Sequence, residues 1–208
     1  MIRFQFSLLP ILTIIVTTIQ AQESKFSYRG FSGGMLVHTG YVQSQSFALF
    51  NSKGQIVDNR KLNGMPMGIG GAARLHFGEH LRIGSEGYIS TLDYSNKSYA
   101  SIGWGGVLAD GIWTIGRFSP FIGATLGGGS MKHITMLQQP ATDFVLENEN
   151  ISYRRYGFLA LVPFIGTEYA LNKKIHLVLK ADHIFNLNNP QADFLRGIRI
   201  YLGFAFCR

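Results

Sequence analysis

The final stretch of this chain alternates without interruption. Ile198, Ile200, Leu202, Phe204 and Phe206 fall on one face, and Gly197, Arg199, Tyr201, Gly203 and Ala205 fall on the other. A period of two marks an extended strand, because successive side chains of a strand point to opposite faces. The same period places Ile69, Ala73, Leu75 and Phe77 opposite Gly68, Gly70, Ala72, Arg74 and His76. It places Leu81, Ile83 and Ile89 opposite Arg82, Gly84, Glu86 and Tyr88. It also sets Ile175, Leu177 and Leu179 against His176, Lys180 and Asp182, with Val178 an exception. Segments 28–42, 98–112 and 119–131 alternate less cleanly. Segment 151–170 is apolar on both faces in its middle, which leaves its facing open.

These segments make eight strands. Short connections fall at residues 78–80, 113–118 and 171–174. Long ones fall at residues 43–63 and 132–150, with an intermediate one at 188–195. The link at residues 95–97 is short although it belongs to the long set. Short turns on one rim and long loops on the other describe an all-β, eight-stranded antiparallel up-and-down barrel. Beyond the N-terminus, no apolar run approaches the roughly 18–20 residues that a membrane helix requires. A barrel of this kind crosses a membrane with strands.

Which face meets lipid follows from composition. Charged residues make up only 15% of the chain, 25 residues are Gly, and 13% are aromatic. A soluble barrel needs a solvated outer face, and the Gly- and Ala-rich face with isolated charges is a poor one. That face suits the narrow lumen of a small barrel, where small residues leave room for a few long polar ones. The bulky aliphatic face then meets acyl chains. Aromatics gather near the rims, with Phe77, Trp113, Phe118, Tyr169, Phe204 and Phe206 on the turn side. Tyr41, Tyr94, Tyr99 and Phe185 gather on the loop side, as interfacial girdles do. The expected fold is therefore a transmembrane β-barrel.

The N-terminus reads as a secretory signal peptide over residues 1–21. Arg3 is its charged region, Leu8 to Ile19 its apolar core and Ala21 its cleavage site. One barrel domain, residues 22–208, remains. The lone Cys207 excludes a disulfide framework within the chain. The net charge of +7 is scattered rather than striped, which argues against nucleic acid. Basic loop residues suit anionic lipopolysaccharide better.

If the faces are assigned in this way, the lumen holds Arg74, Arg82, Glu86, Glu168, Lys180, Asp182 and Arg199. Arg74, Arg82 and Glu168 lie low, and the other four lie nearer mid-height. Unpaired buried charges are costly, so a paired network that fills the lumen is expected. The six histidines show no metal-ligand spacing, because a turn separates His76 from His80. No cofactor is expected. Gly68-Ile-Gly-Gly-Ala-Ala73 comes close to a dinucleotide fingerprint, but it lies in a strand pattern with no helix after it.

Three segments resemble the bacterial outer-membrane β-barrel superfamily, the small OmpA/OmpX-like porin-family barrels. They are Phe118-Ser-Pro-Phe-Ile-Gly-Ala-Thr-Leu-Gly-Gly-Gly129, Pro163-Phe-Ile-Gly-Thr-Glu-Tyr-Ala-Leu171 and Arg199-Ile-Tyr-Leu-Gly-Phe-Ala-Phe206. The resemblance covers essentially the whole mature chain. It implies an outer-membrane location, lipid and lipopolysaccharide as surroundings, and a terminal strand read by the barrel assembly machinery. The chain departs from the pattern in that Cys207 and Arg208 follow the terminal aromatic. Some such barrels are lipid-modifying enzymes with a Ser–His pair near the lipid interface. Here Ser130, His133 and Asp143 are the residues to inspect, and no activating arrangement is legible in their spacing. The expectation is a non-enzymatic envelope protein, with a narrow solute channel as the alternative and a lipid A-modifying enzyme as the second.

Overall fold

The computed structural model describes residues 27–50, 54–94, 98–136 and 151–208. The expected signal peptide, the link at residues 95–97 and Asp143 lie outside them. In chain order the described residues form β1 (Tyr28–Gln43), β2 (Phe47–Phe50), β3 (Ile56–Arg60), β4 (Asn63–Gly64), β5 (Met67–Phe77) and β6 (Leu81–Tyr94). They continue with β7 (Ser98–Ile112), β8 (Phe118–Met136), β9 (Ile151–Ala170), β10 (Ile175–His183), β11 (Phe185–Asn186) and β12 (Arg196–Cys207). No helix occurs among the described residues.

Eight of these strands close a ring. The order β1-β5-β6-β7-β8-β9-β10-β12 returns to β1, and every neighbour pair is antiparallel. Closure leaves the ring without a free edge. The seam runs from Ser32↔Cys207 to Gln43↔Arg196. Beyond it, the Phe31 and Arg208 backbones exchange reciprocal hydrogen bonds of 3.1 and 2.9 Å. Tight turns need φ > 0, and glycine supplies it at Gly78 (φ 59°) and Gly116 (φ 63°).

Outside the ring lies a band of exposed large apolar side chains, among them Met35, Ile69, Ile83, Leu126, Ile165 and Leu202. A continuous apolar surface of this extent is untenable in water and suited to acyl chains. Inside, large residues sit over glycines on the facing strand. A Cβ at Gly70 would collide with the Tyr88 ring, and one at Gly123 would press on Asp110. Glycine there makes the volume that the large neighbour fills.

Three expectations need correction. Residues 43–63 are not an open loop, because β2 and β3 pair as a hairpin. Its Phe47 and Leu49, with Leu62 beyond it, are buried. Residues 132–150 do not begin as loop either. Lys132–Met136 extend β8, and the β8–β9 ladder runs from Phe118↔Tyr169 to Met136↔Ile151, rising above the shorter strands. The greasy-outside rule is mostly inverted along β7, with Val107 the outward exception. Ile102, Trp104, Leu108 and Ile112 are buried inside, while Ser101, Gly103 and Gly105 face outward between them. The facing of segment 151–170 is now settled. Phe158, Ala160, Val162 and Phe164 point in, and Leu159, Leu161 and Ile165 point out.

Candidate functional site

The lumen is built in three levels. Nearest the short turns, Arg74 and Arg82 converge on Asp110 of β7. Arg74 Nε donates to Oδ2 at 3.0 Å, and Arg82 donates from Nε at 2.6 Å and from Nη2 at 3.1 Å. Arg82 Nη1 also donates to Glu168 Oε1, a contact between fully buried groups. Phe121 lies against both guanidinium groups, 5.0 Å from that of Arg82 and 5.7 Å from that of Arg74. At the foot of this level His176 Nδ1 approaches Glu168 Oε2 at 3.1 Å, and Cys207 Sγ lies 3.6 Å from the same nitrogen.

At mid-height the centre is Lys180. Its Nζ donates to Glu86 Oε2 at 2.7 Å and lies 3.7 Å from Asp182 Oδ2. It is ringed by Phe164 at 4.6 Å, Tyr201 at 4.9 Å, Tyr88 at 5.0 Å and Trp104 at 5.9 Å, measured to ring centroids. Aromatic faces attract a desolvated cation through their quadrupoles. Arg199 donates to Asp182 Oδ1 at 2.9 and 2.6 Å and lies over Trp104. Thr125 donates to the remaining Glu86 oxygen at 2.6 Å.

All seven lumen residues named from the sequence are buried, and they fall into these two clusters. The alternation missed Asp110. It sits on β7, where bulky residues point inward and mask the pattern. With Asp110 included, four cations face four carboxylates. The set balances, as burial in a low-dielectric interior demands.

The third level closes the loop side. His133 meets Tyr94 Oη in a short hydrogen bond, and Thr135 Oγ1 lies 2.7 Å from the same hydroxyl. Tyr94, assigned above to the outer girdle, therefore points inward. Phe47 of the hairpin packs edge-on against His133 at 5.2 Å, and Phe194 packs against Phe158 at 5.1 Å. Ser130 and His133 lie on opposite faces of β8, since Met131, His133 and Thr135 point in and Ser130 points out. They make no nucleophile–base pair.

The closed antiparallel ring has counterparts among solved structures. Neisserial surface protein A aligns with a TM-score of 0.53 at 14% identity over 87% of this chain and 97% of that one. The attachment–invasion locus protein Ail of Yersinia pestis, solved with the heparin analogue sucrose octasulfate, aligns with a TM-score of 0.52. Its identity is 12%, over 86% of this chain and 99% of that one. The fold is that of the small outer-membrane β-barrels. OprG from Pseudomonas aeruginosa is similar in the same way, with a TM-score of 0.50 at 9% identity over 88% of this chain and 98% of that one. No protein-family model matches the chain, and no characterised protein matches it in sequence. At such identities the likeness is one of architecture. The barrel fold is shared, and fold alone does not carry over the chemistry of lumen and loops.

Proposed function

We propose that this protein is a non-enzymatic, non-conducting integral barrel of the bacterial outer membrane, whose role is carried by its loop side. In this reading residues 1–21 are the export signal, residues 22–208 are the barrel, and the assembly machinery reads the β12 end. The observation that carries the reading is the filled interior. Eight buried charges pair across the lumen, Lys180 is caged by four aromatic rings, and the hairpin packs over the level above. A hydrated ion has no free path through paired charges and stacked rings.

The outward side chains at the loop rim favour anionic lipid as a neighbour. Lys132 Nζ lies 5.6 Å from the Tyr99 ring centroid and 5.9 Å from that of Tyr153, and Arg155 is exposed beside it. Two cations among interfacial aromatics suit the phosphates of lipopolysaccharide.

Single-channel recording in planar bilayers tests the first part. Silence is the expected result at neutral pH. Steady openings of reproducible size would instead establish the narrow-channel alternative. Analysis of lipid A from a deletion strain is expected to give an unchanged acylation pattern.

A further inference from the structure

Three side chains from three adjacent strands meet at the turn end of the lumen. Glu168 comes from β9, His176 from β10 and Cys207 from β12, and their donor atoms all lie within 4.8 Å of one another. From this geometry we infer that the barrel carries a divalent transition-metal site of the zinc class, with Glu168 Oε2, His176 Nδ1 and Cys207 Sγ as its ligands.

Two of the three donor spacings match such an ion. Zinc holds sulfur at about 2.3 Å and nitrogen at about 2.0 Å in a tetrahedron, which separates the two donors by about 3.6 Å. The Cys207 Sγ to His176 Nδ1 distance is 3.6 Å. The same arithmetic with a carboxylate oxygen gives about 3.3 Å, against 3.1 Å between Nδ1 and Glu168 Oε2. The donor set is mixed N, O and S, which zinc accepts and which calcium or magnesium does not.

The supports are also in place. Arg82 holds Glu168 through Oε1, which leaves Oε2 turned toward the site. Outer-shell partners of this kind orient metal ligands. Cys207 is not at a frayed end, because its amide donates to Lys174 O at 2.8 Å and Arg208 is hydrogen-bonded to Phe31. Thiolate and carboxylate are both anionic donors, the Glu168 charge being shared between Arg82 and the ion. The thiolate also faces Lys173, Lys174 and Arg208, which line the adjoining cavity with Arg29 and His76. Cys207 opens onto this cavity of about 770 Å³. Three protein ligands and an accessible fourth position describe an open site. The ion would enter from the turn side. The site itself needs only the closed ring.

The test uses the refolded mature barrel, reduced and freed of metal, in detergent. Titration with Co2+ is expected to produce a thiolate-to-cobalt charge-transfer band in the near ultraviolet. It should also produce intense visible bands of a tetrahedral ion, saturating at one equivalent and discharged by one equivalent of Zn2+. Cys207→Ser is expected to abolish the charge-transfer band, and His176→Ala to weaken zinc binding at least tenfold. Both positions are partly buried, and a heat-modifiable gel shift verifies that each variant is folded. A cobalt spectrum without the thiolate band in the parent protein would overturn the assignment. So would zinc binding of equal strength in the parent and in folded Cys207→Ser.

Discussion

Asp110→Ala is the most decisive single perturbation of the lumen. The Asp110 carboxylate accepts three N–H groups, one from Arg74 and two from Arg82, and all three residues are buried. Truncation leaves Arg82 with Glu168 alone and leaves the Arg74 guanidinium without its carboxylate. Removing one member of a buried pair costs about 3–5 kcal/mol, since the partner charge stays desolvated. Charge-assisted hydrogen bonds of about 1.5–3 kcal/mol each are consistent with that figure once their non-additivity is allowed for. The assay is urea unfolding of the barrel refolded in phospholipid vesicles, followed by the fluorescence of the lumen residue Trp104. The internal standard is Glu79→Ala, which breaks the exposed 3.6 Å pair with Arg29. Exposed pairs contribute about 0–1 kcal/mol. Arg74→Met in the Asp110→Ala background removes the orphaned charge, and that double variant is expected to regain part of the loss. A cost for Asp110→Ala no larger than that of Glu79→Ala, with no recovery in the double variant, would refute the reasoning.

Three further outcomes are expected. Gly123→Ala pushes a methyl into the Cβ of Asp110 and the carbonyl of Ala109, so it should destabilise the barrel by about 1–3 kcal/mol, as overpacking does. The gel-shift midpoint on heating measures it. Phe47→Ala removes the ring that packs on His133. It should raise the rate of trypsin cleavage after Arg60 and Lys61 while the ring strands stay protected. Lys132→Gln combined with Arg155→Gln should reduce the lipopolysaccharide that co-purifies with the barrel, with no change in its unfolding midpoint.

Legibility followed the way each strand divides its residues. Along β5, β6, β10 and β12 most aliphatic side chains point out, while glycines, charges and the tyrosines Tyr88 and Tyr201 point in, so a period of two reads directly from the sequence. Along β7 the division is mostly reversed: Ile102, Trp104 and Leu108 fill the lumen while Gly103 and Gly105 face outward, Val107 excepted. A rule based on greasiness then hides Asp110 on the side where it was not sought. Segment 151–170 read as apolar on both faces because it is. Phe158, Val162 and Phe164 pack inside, and Leu159, Leu161 and Ile165 face outward. The cap over the loop side had no local signal at all. The β2–β3 hairpin brings Phe47 near Leu62, and only closure of the ring brings Phe194 into the same core. The meeting of Glu168, His176 and Cys207 is invisible for the same reason, since no spacing rule links three adjacent strands at one rim.

The β1–β12 seam has a consequence for how the protein is made. It joins the first and the last strands of the ring in chain order, so every earlier species on the way to the native state carries two raw edges with unpaired amides and carbonyls. Such edges recruit other chains. Contacts this distant along a polypeptide are also slow to form. An escort that shields both margins until the whole chain has arrived is therefore expected to raise the yield of folded barrel. Trimming at the carboxyl end should leave an open, aggregating sheet rather than a slightly weaker cylinder.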